Sequence, residues 1–309
     1  MPSKAASTSI EFLMQGDPAI RWQTMRELLD CPNAEYEGER AKVRSEGWGK
    51  RLLDLQEEDG KWGGGIYSPK WISTTYTLLL LRDMGMPPNC AAARRGAQVI
   101  LDSSVKSDKD SLRGIDTCIA GMWLALGAYF GSDDPKLEIL VEHLLEEQMP
   151  DGGWNCRRHR VKTTHHSSFH TAFNVLDGVR EAIARKIGPT KRLQTSEDKA
   201  IELLLQHQMF RSDKTGNVIN SKFKEFAFPP RWHYDVMRGL DFIRTTRFIK
   251  DPRLGEAFEL VVAARGKDGR WKNATPYSGK VFFNLEPGRE GSRWNTLRAL
   301  RCLKAKEGK

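Results

Sequence analysis

The feature that most constrains the fold is a turn that recurs along the chain. It reads LLDLQEEDGKW at 52–62, LLEEQMPDGGW at 144–154 and VVAARGKDGRW at 261–271. A fourth copy, LLLQHQMFRSDKTG at 203–216, keeps the glutamine and the glycine but has no tryptophan. In each copy an apolar segment runs into a polar turn that contains glycine, which is a common way for a helix to end.

A second pattern follows these turns, where a new apolar run begins. Six such openings are found: Trp22-Gln23-Thr24, Trp71-Ile72-Ser73, Ile115-Asp116-Thr117, Phe169-His170-Thr171, Trp232-His233-Tyr234 and Trp294-Asn295-Thr296. The middle residues of successive openings lie 49, 44, 54, 63 and 62 residues apart, and a period of about 50 residues is typical of repeated helical hairpins. The openings therefore predict six apolar helices.

Amphipathic segments lie between these apolar runs, with apolar residues at i, i+3 and i+4. They are found near 37–56, 90–104, 136–149, 195–209 and 253–265. The alternation predicts an all-α fold, an α/α toroid of six helical hairpins in which six inner helices are ringed by six outer ones. Because no linker divides the chain, one domain is expected over 1–309, with 1–16 as a loose N-terminal segment.

Charge and cysteine usage restrict the partners and the compartment. The net charge of +9 favours anionic partners in general, but no helix carries a clean basic stripe, so nucleic acid is not expected. Peripheral contact with a membrane stays open. Five scattered cysteines predict a reducing, cytoplasmic setting. The N-terminus lacks a signal-peptide pattern, and the longest apolar segment, 118–130, is too short to span a bilayer.

Four of the openings place a basic residue directly before their tryptophan: Arg21, Lys70, Arg231 and Arg293. In a toroid of parallel inner helices, the helix N-termini would add free N–H groups and partial positive charge at the same end of the lumen. Aromatic residues are expected to wall an apolar cavity below: Trp71, Tyr76, Trp232 and Trp294. This pattern predicts a site for a small amphiphile with an anionic head. The alternative is that these residues only cap helices and make cation–π contacts.

Several longer motifs carry a resemblance to a known superfamily: SPKWISTTYTLLLL (68–81), GGWNC…HHSSFHT (152–171), PPRWHYD (229–235) and SRWNTLRAL (292–300). They resemble the repeats of squalene cyclases and protein prenyltransferase β-subunits, and in particular small single-domain bacterial squalene cyclase-like proteins. The resemblance covers roughly 18–303 and implies a terpenoid cyclase-like or prenyltransferase-like protein that acts on an isoprenoid diphosphate or similar ligand. The Asp-x-Asp-Asp acid of proton-initiated cyclases is absent here, which leaves open whether the protein is an enzyme.

The same resemblance implies a zinc site. Prenyltransferase β-subunits have an Asp-x-Cys pair at one inner-helix start and a histidine in a later aromatic-His-Thr opening, which Asp116, Cys118 and His170 match. A carboxylate, a thiolate and an imidazole would leave an open position on Zn²⁺ for chemistry. The alternative is that Asp116 is a helix cap, Cys118 a small buried residue and His170 a hydrogen-bonded one.

A competing metal site would use four residues of one loop, Cys156, His159, His165 and His166. The arginines beside them disfavour a bound cation, so this interpretation ranks second. The sequence also suggests groups for proton transfer: His233 together with Asp235 as a general base, and His166 as a proton source or a fourth metal ligand.

Two further functions are weighed against an isoprenoid enzyme. One is a non-catalytic toroid that binds a lipid or a protein partner. The other is a carbohydrate-active toroid, which would need paired carboxylates in its cleft, and few carboxylates are expected in the lumen. The tryptophans of the recurring turn, Trp62, Trp154 and Trp271, are expected to be structural, with each indole N–H capping a nearby carbonyl.

Overall fold

The structure is a computed structural model that describes residues 4–106, 109–112, 114–131, 133–286 and 291–308. Over these residues the chain forms α-helices, short 3₁₀ turns and isolated backbone bridges, and it contains no extended strand. The prediction of an all-α fold is confirmed. None of the helices in these ranges is both long and apolar enough to cross a membrane.

The helices follow the alternation that the openings predict. In chain order they are α1 (Lys4–Met14), α2 (Pro18–Glu27), α3 (Asn33–Ala41), α4 (Gly47–Leu53), α5 (Thr74–Asp83), α6 (Ala91–Ser104), α7 (Thr117–Tyr129), α8 (Lys136–Glu146), α9 (Phe169–Arg185), α10 (Thr190–Gln206), α11 (Val236–Ile243), α12 (Gly255–Ala263) and α13 (Arg293–Glu307). Short 3₁₀ turns lie at Lys42–Arg44, Lys109–Leu112, Ser221–Lys224, Arg247–Lys250 and Pro252–Leu254. Helix α7, which is apolar on every side, is buried along most of its length and packs against α5, α8 and α9.

The recurring turn is held by its tryptophan. Nε1 of Trp62 donates to the carbonyl of Leu52 at 2.7 Å, Trp154 to Leu144 at 2.7 Å, and Trp271 to Val261 at 2.6 Å. Each bond reaches back ten residues to the last turn of the preceding helix, where a carbonyl would otherwise lack a partner. All three rings are fully buried. The expectation that these tryptophans are structural is confirmed by these contacts.

The glutamine of the turn joins one hairpin to the next. Nε2 of Gln56 donates to the carbonyls of Gly60, at 2.8 Å, and of Ala92, at 2.9 Å, in the first turn of α6. Gln148 repeats the arrangement with Gly152, at 2.7 Å, and Ser196 of α10, at 2.9 Å. One amide therefore closes its own turn and also holds the following amphipathic helix at a fixed distance.

The end of the chain packs against its beginning. Helix α13 contacts α1 and α2, Arg293 Nε donates to the carbonyl of Phe12 at 3.0 Å, and an Arg301 amino group donates to Gln23 Oε1 at 2.7 Å. The segment 1–16, expected to be loose, contains helix α1, in which Phe12 and Leu13 are buried. Phe12 and Leu13 therefore join the core.

Candidate functional site

A cavity of about 450 Å³ lies where the six helices that follow the predicted openings meet. All six contribute to its wall, for example through Trp22 of α2, Tyr76 of α5, Tyr129 of α7, Arg180 of α9, Arg238 of α11 and Trp294 of α13. Helices α6, α8, α10 and α12 contribute none of its described lining. We call this space the central cavity.

The wall of the central cavity is rich in arginine. Nine arginines line it: Arg26, Arg40, Arg82, Arg180, Arg231, Arg238, Arg244, Arg298 and Arg301. Within the described ranges only four acidic residues do so: Asp83, Asp177, Glu181 and Asp241. This excess of cations raises the local concentration of anions. The prediction of an apolar cavity is therefore wrong for this space, because its wall combines arginines with aromatic and aliphatic side chains.

Two aspartates organise much of this wall. Asp177 accepts hydrogen bonds from Arg238 at 2.7 Å and from Arg82 at 3.3 Å. Asp241 accepts from Arg301 and from Arg244, whose Nε lies 3.0 Å from Oδ1. Burial alone would raise the pKa of both carboxyls, but these arginines outweigh it and hold the pKa below its usual range. Both carboxylates are therefore ionised, and each holds two arginine side chains in place.

Arg231 is the exception among the nine arginines. In the described part of the chain its guanidinium has no ion pair and no hydrogen bond. It makes a cation–π contact with Trp71, with its central carbon 5.5 Å from the ring centroid. Burial lowers the pKa of Arg231 to about 10, so the group still carries its charge at neutral pH. Its backbone has a left-handed φ of 57°, which costs about 1–2 kcal/mol for a residue other than glycine. An unpaired cation on a strained backbone is a candidate functional residue.

A second cavity, of about 210 Å³, meets the central cavity at Arg231. The two share Leu80, Phe228, Pro229 and Arg231. Most of the second wall is uncharged, and it includes Leu52, Trp71, Tyr277, Val281, Phe282, Phe283 and Leu285. Among its described lining residues the one carboxylate is Glu286, which accepts hydrogen bonds from Ser292 Oγ and the Arg293 backbone N–H. We call this space the side cavity. Arg231 therefore stands where a cationic space joins a mostly apolar one.

The four predicted cations do not converge as one set. Arg21 pairs with Glu39 and donates to the Gly16 carbonyl at 2.7 Å, while Arg293 binds the Phe12 carbonyl and covers its ring. Lys70 is exposed, with its Nζ 5.5 Å from the ring centroids of Trp71 and Trp232. Of the four, only Arg231 lines the central cavity.

The predicted aromatic residues are distributed over both cavities. Tyr76 and Trp294 line the central cavity, and Trp71 lines the side cavity. Trp294 stacks on Phe228 with ring centroids 4.1 Å apart. Trp232 instead stacks on His233 at 3.7 Å and lies outside both linings. Three of the four predicted aromatic residues therefore line a cavity, beside others that were not predicted, such as Tyr129 and Phe228.

His233 and Asp235 are not paired. The His233 ring lies between Trp232 and Tyr277, the latter at 3.6 Å, and its Nδ1 has no partner among the described residues. Burial, assisted by His170 and Arg238, lowers the pKa of His233 to about 3. Asp235 is buried and caps α11, accepting from the backbone N–H of Arg238 at 2.8 Å. The geometry thus gives Asp235 a structural role. His166 is exposed on the loop before α9.

The three predicted zinc ligands each have another partner. Asp116 pairs with Arg160, the Cys118 backbone N–H donates to Cys156 Sγ at 3.3 Å, and His170 Nδ1 accepts from the Tyr234 backbone N–H at 2.8 Å. Across the described ranges no three His, Cys, Asp or Glu side chains are grouped to hold a metal ion. The zinc site at Asp116, Cys118 and His170 therefore stays a prediction.

The alternative loop site is also dispersed. His159 Nε2 lies 3.0 Å from Glu147, His165 is exposed, and Cys156 contacts Cys118 and Thr171. What the sequence did not predict is the contact between Cys118 and Cys156, and the arginines in the later turns of the cavity helices.

No family model, curated protein or solved structure was found to match this chain.

Proposed function

We propose that the six hairpins form a closed α/α toroid and that its lumen, the central cavity, binds an amphiphilic anion such as an isoprenoid diphosphate. The ring is supported by two observations. All six openings lead to helices that line one cavity, and α13 packs against α1 and α2. A closed ring is the simplest arrangement that explains both contacts together.

The single observation that carries the ligand proposal is the position of Arg231. The Arg231 side chain is half-buried and has no hydrogen-bond or ion-pair partner among the described residues, so it loses part of its hydration without gaining an acceptor. Diphosphate oxygens would supply acceptors that match the planar fork of arginine. The side cavity next to it would take the hydrocarbon part of the same molecule. A polar head and an apolar tail are thus accommodated on the two sides of one residue.

Catalysis on the bound isoprenoid is the second candidate function. Two cavity carboxyls, Asp83 and Glu181, have a pKa raised by burial, which in each case outweighs the neighbouring Arg82. Groups with a raised pKa in a cavity are candidates for acid–base roles. Binding without turnover of farnesyl diphosphate would favour a carrier, and product formation that is lost in Glu181→Gln would favour an enzyme.

Replacing Arg231 with glutamine is expected to weaken binding of farnesyl diphosphate roughly 10- to 100-fold, because a charge-assisted hydrogen bond contributes about 1.5–3 kcal/mol. Isothermal titration calorimetry measures this effect. The matched control is Arg192→Gln, since Arg192 pairs with Glu142 on the exposed surface and lines neither cavity. Its affinity should equal that of the unmodified protein.

Inorganic pyrophosphate and farnesol, titrated separately, test the two halves of the proposal. Pyrophosphate should bind more weakly than farnesyl diphosphate and should lose affinity in Arg231→Gln. Farnesol should bind weakly and be little affected by that substitution. Equal affinity of Arg231→Gln and the unmodified protein for farnesyl diphosphate would exclude Arg231 as the anion-binding residue.

A further inference from the structure

Two of the five free cysteines lie in contact with each other. Cys118 is the second residue of α7, and Cys156 lies in the loop that follows Trp154. The backbone N–H of Cys118 donates to Cys156 Sγ at 3.3 Å. Thr171 Oγ1 of α9 donates to Cys156 Sγ at 3.3 Å. Two groups from two helices therefore converge on one sulfur.

The other cysteines differ in their surroundings. Cys90 and Cys302 are buried, and Cys31 lies near the end of α2, far along the chain from the others. Cys118 and Cys156 are only half-buried, so small reagents can reach them. Because Cys156 Sγ lies 3.3 Å from the Cys118 backbone nitrogen, an S–S bond would need side-chain rotation rather than a large backbone movement.

We propose that Cys118 and Cys156 are a redox modification site, which a low-molecular-weight disulfide of the glutathione type converts to an intramolecular disulfide. One cysteine sulfur attacks the external disulfide, so that a mixed disulfide forms and one external thiol leaves. The other cysteine sulfur then attacks the protein sulfur of that mixed disulfide and releases the second external thiol. Two protein thiols are oxidised, one external disulfide is reduced, and the two thiol protons end on the two released thiols.

The bond would connect residues 38 positions apart in the sequence. It would tie the start of α7 to the loop between the Trp154 turn and α9, and so join two neighbouring hairpins. Closing a loop of this length restricts the unfolded chain, so the oxidised protein should have a Tm several degrees higher than the reduced one. The proposal stands independently of any ligand in the central cavity.

The test is oxidation of the native full-length protein with oxidised glutathione, followed by peptide mapping without reductant. We expect loss of two free thiols and a linked pair of peptides that contain Cys118 and Cys156. Reduction with dithiothreitol should restore both thiols. The single variants Cys118→Ser and Cys156→Ser should each stop at a stable mixed disulfide with glutathione, whereas Cys302→Ser should form the bond normally.

A second measurement keeps the test independent of variant folding. The same oxidation in concentrated urea should lose the preference for this pair, since only the folded chain brings the two sulfurs together. A native protein that yields stable glutathione adducts without the intramolecular bond, no reaction at all, or a bond to Cys31 instead would overturn the proposal.

Discussion

Asp241→Asn is expected to lower the free energy of unfolding by about 2–4 kcal/mol at pH 7. Its carboxylate holds Arg301 and Arg244 directly, with Arg298 at 3.8 Å, and these arginines belong to α13 and to the end of α11. Removing one partner of a buried ion pair typically costs about 3–5 kcal/mol. A slightly smaller effect is expected because 18% of the Asp241 side chain faces the cavity.

The same substitution should change the pH dependence of stability. The arginines hold the pKa of Asp241 below its unfolded value in spite of burial, so its contribution is present above the unfolded pKa of about 4 and is lost as the pH falls through the lower folded pKa. The difference between the unmodified protein and Asp241→Asn should therefore be constant from pH 7 to pH 5 and shrink below pH 4. Urea unfolding at each pH measures it.

Asp198→Asn is the matched control, because Asp198 pairs with Arg247 on the exposed surface. It should cost less than about 1 kcal/mol, as surface ion pairs usually do. If Asp241→Asn were as mild as this control, the arginines would be held by the remaining contacts and Asp241 would not organise the cavity wall.

Trp154→Ala is expected to destabilise the protein by about 3–5 kcal/mol, the usual cost of removing a large buried aromatic side chain. The ring is fully buried, and its Nε1 is bonded to the Leu144 carbonyl. Trp154→Phe should recover most of this loss and leave a deficit of about 1–3 kcal/mol, because that buried carbonyl then lacks its donor. Thermal and urea unfolding measure both variants.

Trp62→Phe and Trp271→Phe should behave like Trp154→Phe, since all three tryptophans make the same contact in the same turn. Trp48→Phe is the control, because Trp48 is only partly buried and stacks on Trp294 at 6.3 Å. Widely different costs among the three turn variants would show that the copies are not structurally equivalent, contrary to the shared geometry.

The sequence predicted which helices exist more accurately than where they begin. Helices α9 and α13 begin at their openings, because Ser168 and Ser292 accept the backbone N–H bonds of the first turn. Helix α11 begins at Val236, after its predicted opening, because Asp235 provides the cap. Helix α2 begins at Pro18, ahead of Trp22, since Asp17 caps it. In these four helices the start is set by the residue whose side chain caps the first turn rather than by the aromatic residue of the opening.

The site was predicted less completely, for a physical reason. The openings predict residues at the start of each apolar run, and Arg231 is among those that line the central cavity. The arginines in later turns, such as Arg82 of α5 and Arg180 of α9, interrupt otherwise apolar runs. Such residues signal a polar lumen only when the helices are known to face one another. Their carboxylate partners are often distant in sequence: Arg301 binds Asp241, 60 residues away.

The packing of α13 against α1 and α2 has a consequence for how this chain tolerates change in length. In an open solenoid the terminal repeat has one free side, so a repeat can be lost or added at either end and each unit can fray separately. Here the last helix supplies the neighbour that the first helices would otherwise lack. Truncation at either end would expose the same contact surface between α13 and the first two helices. The hairpins should therefore unfold together rather than one after another from the ends.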